Sequence, residues 1–104
     1  MIYELRIYHL NPGKFEALCR RFSEHTFRLF QRHGLKVVNF WLDAEGKEAL
    51  YYVMEFKDED EKARLWQAFT SDPEWIKAKA DSEVDGKLVA QVISNTMKTA
   101  PFFK

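Results

Sequence analysis

The sequence predicts an α+β domain in which helices cover one face of a four-stranded antiparallel sheet. Three observations support this. Segments with the period-two alternation of strands occur near both ends of the chain and in its middle. Segments with the three- and four-residue spacing of amphipathic helices lie between them. The chain has 104 residues, which is the usual size of one domain, and no Pro-, Gly- or Ser-rich stretch divides it.

The first strand and the first helix follow from local patterns. Residues 2–9 alternate like a strand. Asn11 and Pro12 supply a helix start, with Asn11 as the cap and Pro12 in the first turn. The helix is expected to run to about His33, and Gly34 ends it as a C-cap residue.

A hairpin comes next. Residues 35–43 are rich in β-branched and aromatic side chains, as is typical of a strand. Residues 44–47 contain a glycine and form a turn into a further strand over residues 48–57. The two strands are therefore expected to pair directly.

Two helices follow the hairpin. Asp58 and Glu61 have the spacing of a capping box and open the first of them. Asp72 and Pro73 restart a helix as cap and first residue. This last helix is expected to continue until the turn at residues 85–86.

The last strand spans residues 88–99, and Pro101 prevents its continuation because proline lacks a ladder donor. The resulting order is strand, helix, strand, strand, helix pair, strand. That order is the ferredoxin-like split βαβ arrangement, which leaves one face of the sheet without helices.

The two faces of the sheet are assigned by apolar content. The more apolar set of each strand is expected to face the helices: Tyr3, Leu5, Ile7, Val38, Phe40, Leu42, Leu50, Tyr52, Met54 and Phe56. The other face then holds Glu4, Arg6, Tyr8, Val37, Asn39, Trp41, Tyr51, Val53 and Glu55. Because a monomer rarely exposes such a patch, we expect a two-fold homodimer joined sheet to sheet. Its predicted interface includes Glu4, Arg6, Trp41, Tyr51 and Glu55.

Composition limits the partners. Hydrophobic residues make up 46% of the chain, more than a domain this small readily buries alone. Acidic and basic residues both number 16 and the basic ones are scattered, so nucleic acid is not an expected partner. No apolar run is long enough for a membrane span, and no signal peptide is expected before the first strand. Cys19 is the only cysteine, so we expect a cytoplasmic protein without disulfides.

Several short motifs, in order along nearly the whole chain, resemble the NIPSNAP family. They are Tyr3-Glu4-Leu5-Arg6, Leu10-Asn11-Pro12-Gly13-Lys14, His25-Thr26, His33-Gly34, Asn39-Phe40-Trp41, Asp72-Pro73-Glu74-Trp75 and Ala100-Pro101-Phe102. The resemblance implies a dimeric α+β barrel, in which two ferredoxin-like sheets close around each other. It implies no particular reaction, because the wider fold group includes cofactor-free monooxygenases, haem-degrading enzymes, isomerases and proteins without known activity. Asn39 stands where many relatives have glycine, which adds a polar side chain to the expected barrel interior.

His25 is the candidate catalytic residue. It lies at the margin of the apolar stripe of the first helix, from which an imidazole could reach a cavity between helix and sheet. A histidine in such a place more often has a structural role. His9, His33 and His25 lack the spacing of metal ligands, and Cys19 lies on the core stripe, so no metal site is predicted.

Aromatic side chains are expected to meet between sheet and helices, and the predicted ligand-binding set is Tyr3, Phe22, Phe40, Tyr52 and Trp66. Most of this cluster is core, but its polar atoms and His25 could form a pocket for a small apolar or aromatic molecule. No phosphate-binding loop is present, and no cofactor is predicted. Arg6 is expected to pair with Glu55 or with a carboxylate of the second subunit, as an interface device rather than a substrate clamp.

Three functions remain open. The first is a module that binds a small apolar or aromatic molecule. The second is a cofactor-free oxygenase or isomerase in which His25 or a tyrosine hydroxyl accepts a proton. The third is an interaction protein that docks through Trp75 or through Phe102 and Phe103.

Overall fold

The computed structural model describes residues 1–103. The elements are β1 (Ile2–Leu10), α1 (Phe15–Arg21), a π-helical turn (Phe22–Thr26), α2 (Phe27–Arg32), β2 (Lys36–Leu42), β3 (Ala49–Phe56), α3 (Glu59–Thr70), α4 (Pro73–Ser82) and β4 (Val89–Met97). The sheet has the order β2-β3-β1-β4, and every neighbouring pair is antiparallel. The helices cover one face of this sheet. The predicted ferredoxin-like α+β fold is confirmed.

Side-chain caps fix the starts of the last two helices. Asp58 accepts a hydrogen bond from the backbone N–H of Glu61, and Asp72 accepts one from that of Glu74. Both predicted caps are therefore confirmed. The expected cap at Asn11 is wrong, because its side chain instead donates to the carbonyl oxygen of Lys87 at 2.9 Å.

The first helical segment is widened in its middle by the π-helical turn. The hydroxyl of Thr26 donates to the carbonyl oxygen of Arg21, five residues earlier, at 3.3 Å. The wider turn places Thr26 in the buried position between Phe22 and Leu29. His25, which regular helical spacing places at the margin of the core, is displaced toward the surface.

The predicted face assignment of β1 is inverted. Glu4, Arg6 and Tyr8 point toward the helices, and the indole of Trp66 on α3 donates directly to Glu4. Tyr3, with Leu5 and Ile7, consequently points away from the helices. The apolar-content criterion failed here because α3 offers β1 a polar aromatic partner rather than an aliphatic surface.

In β2 the prediction is wrong for Val38. The register shifts between Val37 and Asn39, so that Val37 packs against the core and Val38 is exposed. Leu42 is also exposed. The assignment of β3 is correct, because Tyr52, Met54 and Phe56 are fully buried under the helices, with Leu50 beside them.

The face of the sheet without helices is called the open face below. Side chains of directly paired residues share one side of a sheet, so the register defines its members. They include Tyr3, Leu5, Ile7 and His9 on β1, Lys36, Asn39 and Trp41 on β2, Tyr51, Val53 and Glu55 on β3, and Gln91, Ile93, Asn95 and Met97 on β4. Most of these side chains are apolar or aromatic.

Candidate functional site

A buried carboxylate lies at the centre of the helix-covered side of β1. Glu4 is only 2% exposed and accepts hydrogen bonds from the Trp66 indole at 2.7 Å and from the Ser94 hydroxyl. It also accepts one from Nη1 of Arg6 at 3.0 Å. Burial alone would raise the pKa of Glu4, but the bonds from Ser94 and Trp66 and the charge of Arg6 outweigh it and lower the pKa. Glu4 is therefore ionised, and hydrogen-bond donors satisfy both oxygens of its carboxylate.

Arg6 joins this carboxylate to two tyrosines. Its Nε donates to the Tyr52 hydroxyl at 2.9 Å and its Nη2 to the Tyr8 hydroxyl at 3.3 Å. The guanidinium lies over the ring of Trp66, 4.5 Å from the centroid. Burial would lower the pKa of Arg6, but Tyr52, Tyr8 and Glu4 raise it well above its ordinary value. Arg6 is a fixed cation.

The two tyrosine hydroxyls are bonded to each other at 2.7 Å. Tyr52 is completely buried, and burial raises its pKa well above the ordinary value, with a further contribution from Tyr8 and partial opposition from Arg6. The phenol of Tyr52 therefore stays protonated at neutral pH. It serves as a hydrogen-bonding group and is poorly suited to act as a base.

Arg21 is a second buried guanidinium, placed at the start of the π-helical turn. Its Nη1 donates to the Ser82 hydroxyl at 3.2 Å and lies 3.9 Å from the carboxylate of Glu83. Its guanidinium carbon is 5.2 Å from the ring centroid of Trp75. Its buried Nε has no hydrogen-bond partner within residues 1–103. Burial lowers the pKa of Arg21, and Glu83 only partly opposes this effect.

A cavity of about 490 Å³ lies between the sheet and helices α3 and α4. Its aromatic wall consists of Tyr8, Trp66, Phe69 and Trp75. Its basic groups are Arg6, Arg21, Lys79 and Lys87, and its acidic group is Glu83. The volume falls in the range of about 300–1,000 Å³ that is typical of small-molecule sites.

Only one residue of the predicted ligand-binding set lines this cavity. That residue is Trp66. Phe22, Phe40 and Tyr52 instead pack against one another, with ring centroids 5.2–5.7 Å apart. Phe22 and Phe40 also line a separate apolar hollow of about 310 Å³. Tyr3 lies on the open face and contributes to neither space.

His25 is not brought to the aromatic cavity. Its side chain is 40% exposed, and its Nε2 lies 3.9 Å from the carboxylate of Glu24. It lines a different groove, between the first helical segment and α4, together with Ala78 and Asp81.

The predicted interface residues divide between the two faces. Trp41, Tyr51 and Glu55 lie on the open face, as expected. Glu4 and Arg6 lie under the helices, so their placement on the open face is wrong. Arg6 pairs with Glu4 instead of with Glu55, because residues two apart on one strand share a face.

Sequence reasoning missed Arg21 and Trp75 as members of the site. Arg21 follows the buried Leu18 by three residues, a spacing that places it on the inner face of the helix. Because Arg21 is charged and follows the exposed Arg20, it resembles a surface residue in the sequence.

Within residues 1–103, no group of three or more His, Cys, Asp or Glu side chains is placed to hold a metal ion. No helix in the same range has the length and apolar character needed to cross a membrane.

The fold and the site define a ferredoxin-like α+β domain with a polar aromatic cavity between its sheet and its helices. The sequence matches the NIPSNAP family over residues 3–104. The chain belongs to the NIPSNAP family, so the resemblance predicted from the sequence is confirmed.

Solved structures share this fold at low sequence identity. An uncharacterized NIPSNAP domain protein from Burkholderia xenovorans is 16% identical, with a TM-score of 0.84, over 100% of this chain and 99% of that one. A NIPSNAP family protein of unknown function from Agrobacterium tumefaciens is 22% identical, with a TM-score of 0.84, over 99% and 91%. A putative antibiotic biosynthesis monooxygenase from Nitrosomonas europaea is 12% identical, with a TM-score of 0.67, over 95% and 98%. No match to a curated protein was found.

Proposed function

We propose that this NIPSNAP protein binds a small apolar or aromatic molecule in the cavity between its sheet and its helices. The observation that carries the proposal is the composition of the cavity wall. Trp66, Phe69 and Trp75 supply flat apolar surfaces, while Arg6 and Tyr8 supply a few polar groups at one side. This combination is typical of small-molecule sites, in which apolar contact gives affinity and the polar groups fix orientation.

We further propose that the protein acts as a homodimer joined through the open face. The apolar side chains at the middle of this face are Leu5, Ile7, Val53 and Ile93, with the aromatic Trp41 and Tyr51 beside them. A second copy presents an equally apolar, self-complementary surface under two-fold symmetry. Monomeric domains rarely leave a contiguous apolar patch of this kind exposed, and a second copy would cover it.

Binding without a reaction is favoured over the oxygenase or isomerase alternative. His25, the candidate base, lines a groove other than the aromatic cavity. Tyr52 is a buried phenol whose raised pKa disfavours proton abstraction. The interaction-protein alternative stays a prediction that depends on the exposed Phe102 and Phe103.

Filling the cavity tests the binding proposal. Val92 and Val84 are both exposed valines, but only Val92 lines the cavity. We expect neutral 2-naphthamide to quench the tryptophan fluorescence saturably in the wild type and in the matched control Val84→Trp. Val92→Trp should weaken binding at least tenfold, because the indole occupies the ligand's volume.

Two results would contradict the proposal. One is binding to Val92→Trp at wild-type affinity, which would place the molecule elsewhere. The other is the absence of saturable binding of 2-naphthamide and of other neutral bicyclic aromatic probes to the wild type. Calorimetry on the same samples provides a readout independent of the introduced tryptophan.

A further inference from the structure

The charge in the cavity wall is unbalanced. Four basic side chains line it, namely Arg6, Arg21, Lys79 and Lys87, against the single acidic side chain of Glu83. Arg6 is already neutralised by Glu4, which lies behind it. Lys79 is likewise paired with Glu83, so the excess resides in Arg21 and Lys87. A cavity that served only neutral apolar molecules would not need this excess.

Arg21 carries most of the argument because it is buried and poorly matched. Its side chain is only 4% exposed. Its Nε makes no hydrogen bond within residues 1–103. A buried cation without a full set of acceptors is costly to desolvate unless a partner is supplied. An anion placed against this guanidinium would supply a further negative partner.

Glu83 does not fill that role. Its Oε1 accepts a hydrogen bond from Lys79 at 2.9 Å, and its Oε2 accepts one from the backbone N–H of Leu88 at 3.4 Å. The distance from Oε2 to Nη1 of Arg21 is 3.9 Å, beyond hydrogen-bond length. Glu83 is thus hydrogen-bonded to Lys79 of α4 and to the backbone just before β4, and it gives Arg21 an ion pair at 3.9 Å but no hydrogen bond.

Arg6 adds a second set of donors in the same cavity. Its three bonds to Glu4, Tyr8 and Tyr52 use three of the five guanidinium hydrogens. One hydrogen remains on each Nη atom beyond these bonds. Arg6 is held in place by its partners, so these donors are preorganised.

The aromatic wall indicates a planar partner. Each guanidinium lies against an indole, Arg6 on Trp66 and Arg21 on Trp75. A flat ring lying against the accessible part of this aromatic wall would place a substituent beside the guanidinium groups. A carboxylate is such a substituent, and its two oxygens match the fork of an arginine.

We infer that the cavity binds an aromatic carboxylate, whose ring lies against the aromatic wall and whose carboxylate pairs with the guanidinium of Arg21. Arg6 adds positive potential and further donors at the same end of the cavity. The inference rests on the proposed function, since it names the chemical class of the molecule that the cavity binds.

The test compares two probes of nearly equal shape, 2-naphthoate and neutral 2-naphthamide, at pH 7 by fluorescence quenching and calorimetry. We expect the wild type to bind the acid at least tenfold more tightly than the amide. Arg21→Met should remove this preference, because it weakens binding of the acid by a larger factor than binding of the amide. Arg20→Met, which removes a charge from the exposed neighbour, should keep the preference at the wild-type level.

The outcomes separate this inference from the proposed function. If the wild type binds the amide as tightly as the acid, the inference is wrong and the proposed function stands. If neither probe binds, both are wrong. A tenfold preference that persists in Arg21→Met would also overturn the inference. Should Arg21→Met not fold, Arg21→Gln decides in its place: it removes the charge but keeps a polar side chain, and an undiminished preference overturns the inference.

Discussion

At the scale of single residues, Arg21 has the features of a functional residue that lowers the stability of the fold. Its side chain is buried, and its Nε has no hydrogen-bond partner within residues 1–103. Methionine has a similar length and apolar stem but needs no hydrogen-bond partners. We therefore predict that Arg21→Met raises the free energy of unfolding by about 1 kcal/mol, since a buried charge with an incomplete set of hydrogen-bond partners is costly to remove from water. Urea denaturation followed by circular dichroism measures the change.

The control for this prediction is Arg20→Met on the exposed side of the same helix, which should change stability by less than about 0.5 kcal/mol. A loss of stability in Arg21→Met larger than in the control would mean that the bond to Ser82 and the contact with Trp75 outweigh the burial of the charge. Arg21 would then be a structural residue.

Glu4 is the opposite case, a buried charge with a full set of partners. Glu4→Gln replaces one acceptor oxygen with a donor that opposes the donors around it, and it removes the counter-charge of Arg6. We predict a loss of about 2–3 kcal/mol in the free energy of unfolding. Glu45→Gln is the matched control on an exposed turn, and it should be neutral. Equal denaturation midpoints for both variants would contradict the prediction.

The inversion of β1 shows what single residues could and could not predict. Alternation correctly divided Ile2, Glu4, Arg6 and Tyr8 from Tyr3, Leu5 and Ile7. It did not indicate which set the helices cover, because that depends on Trp66, which lies 62 residues from Glu4 in the chain. Rules based on apolar content assume an aliphatic neighbour, and here the neighbour is an indole that donates a hydrogen bond.

At the scale of elements, Asp72 connects two helices. It caps α4 through the N–H of Glu74 and bonds to His33 and Arg32 near the end of α2. The bond from His33, with the Glu74 N–H and Arg32, lowers the pKa of Asp72 from 3.8 to about 2. A depressed carboxyl pKa contributes stability that is fully present above the unfolded value and is lost as the pH falls through the folded one.

We therefore predict that acid weakens the connection between α2 and α4 between about pH 4 and pH 2. Asp72→Asn should lower the thermal midpoint by several degrees at pH 7 and show a smaller further loss across that window than the wild type. Asp81→Asn, which removes an exposed carboxylate of α4, is the control. Parallel pH profiles for wild type and Asp72→Asn would contradict the prediction.

The helix caps could be predicted from the sequence, whereas the π-helical turn could not. A cap is recognised by a few adjacent residues, so Asp58 and Asp72 could be found from the sequence. The π-helical turn leaves no local signature, yet it decides that Thr26 is buried and that His25 is not. The misplacement of the candidate base follows from this single widened turn.

At the scale of the whole molecule, the order of helices and strands along the chain and the existence of a sheet face without helices were both predicted. The open face is in fact more apolar than expected, because Leu5 and Ile7 replace Arg6 and Tyr8 on it. The error in β1 therefore strengthens the reason to expect a covering subunit. It also moves the ion pair of Arg6 from the expected interface into the protomer.

Ile7 provides the sharpest test of the dimer. It lies on the central strand β1, directly between Tyr51 and Ile93 on the open face. A lysine there is tolerated in a monomer, where it extends into water, but in a sheet-to-sheet dimer it becomes an unpaired buried charge that costs several kcal/mol. We predict a dimer for the wild type and at least a hundredfold weaker dimerisation for Ile7→Lys, measured by sedimentation equilibrium. Ile76→Lys introduces the same change on the exposed side of α4 and should leave the dimer intact. A monomeric wild type, or an Ile7→Lys variant that dimerises as strongly as Ile76→Lys, would show that the open face is not the contact between two copies of this chain.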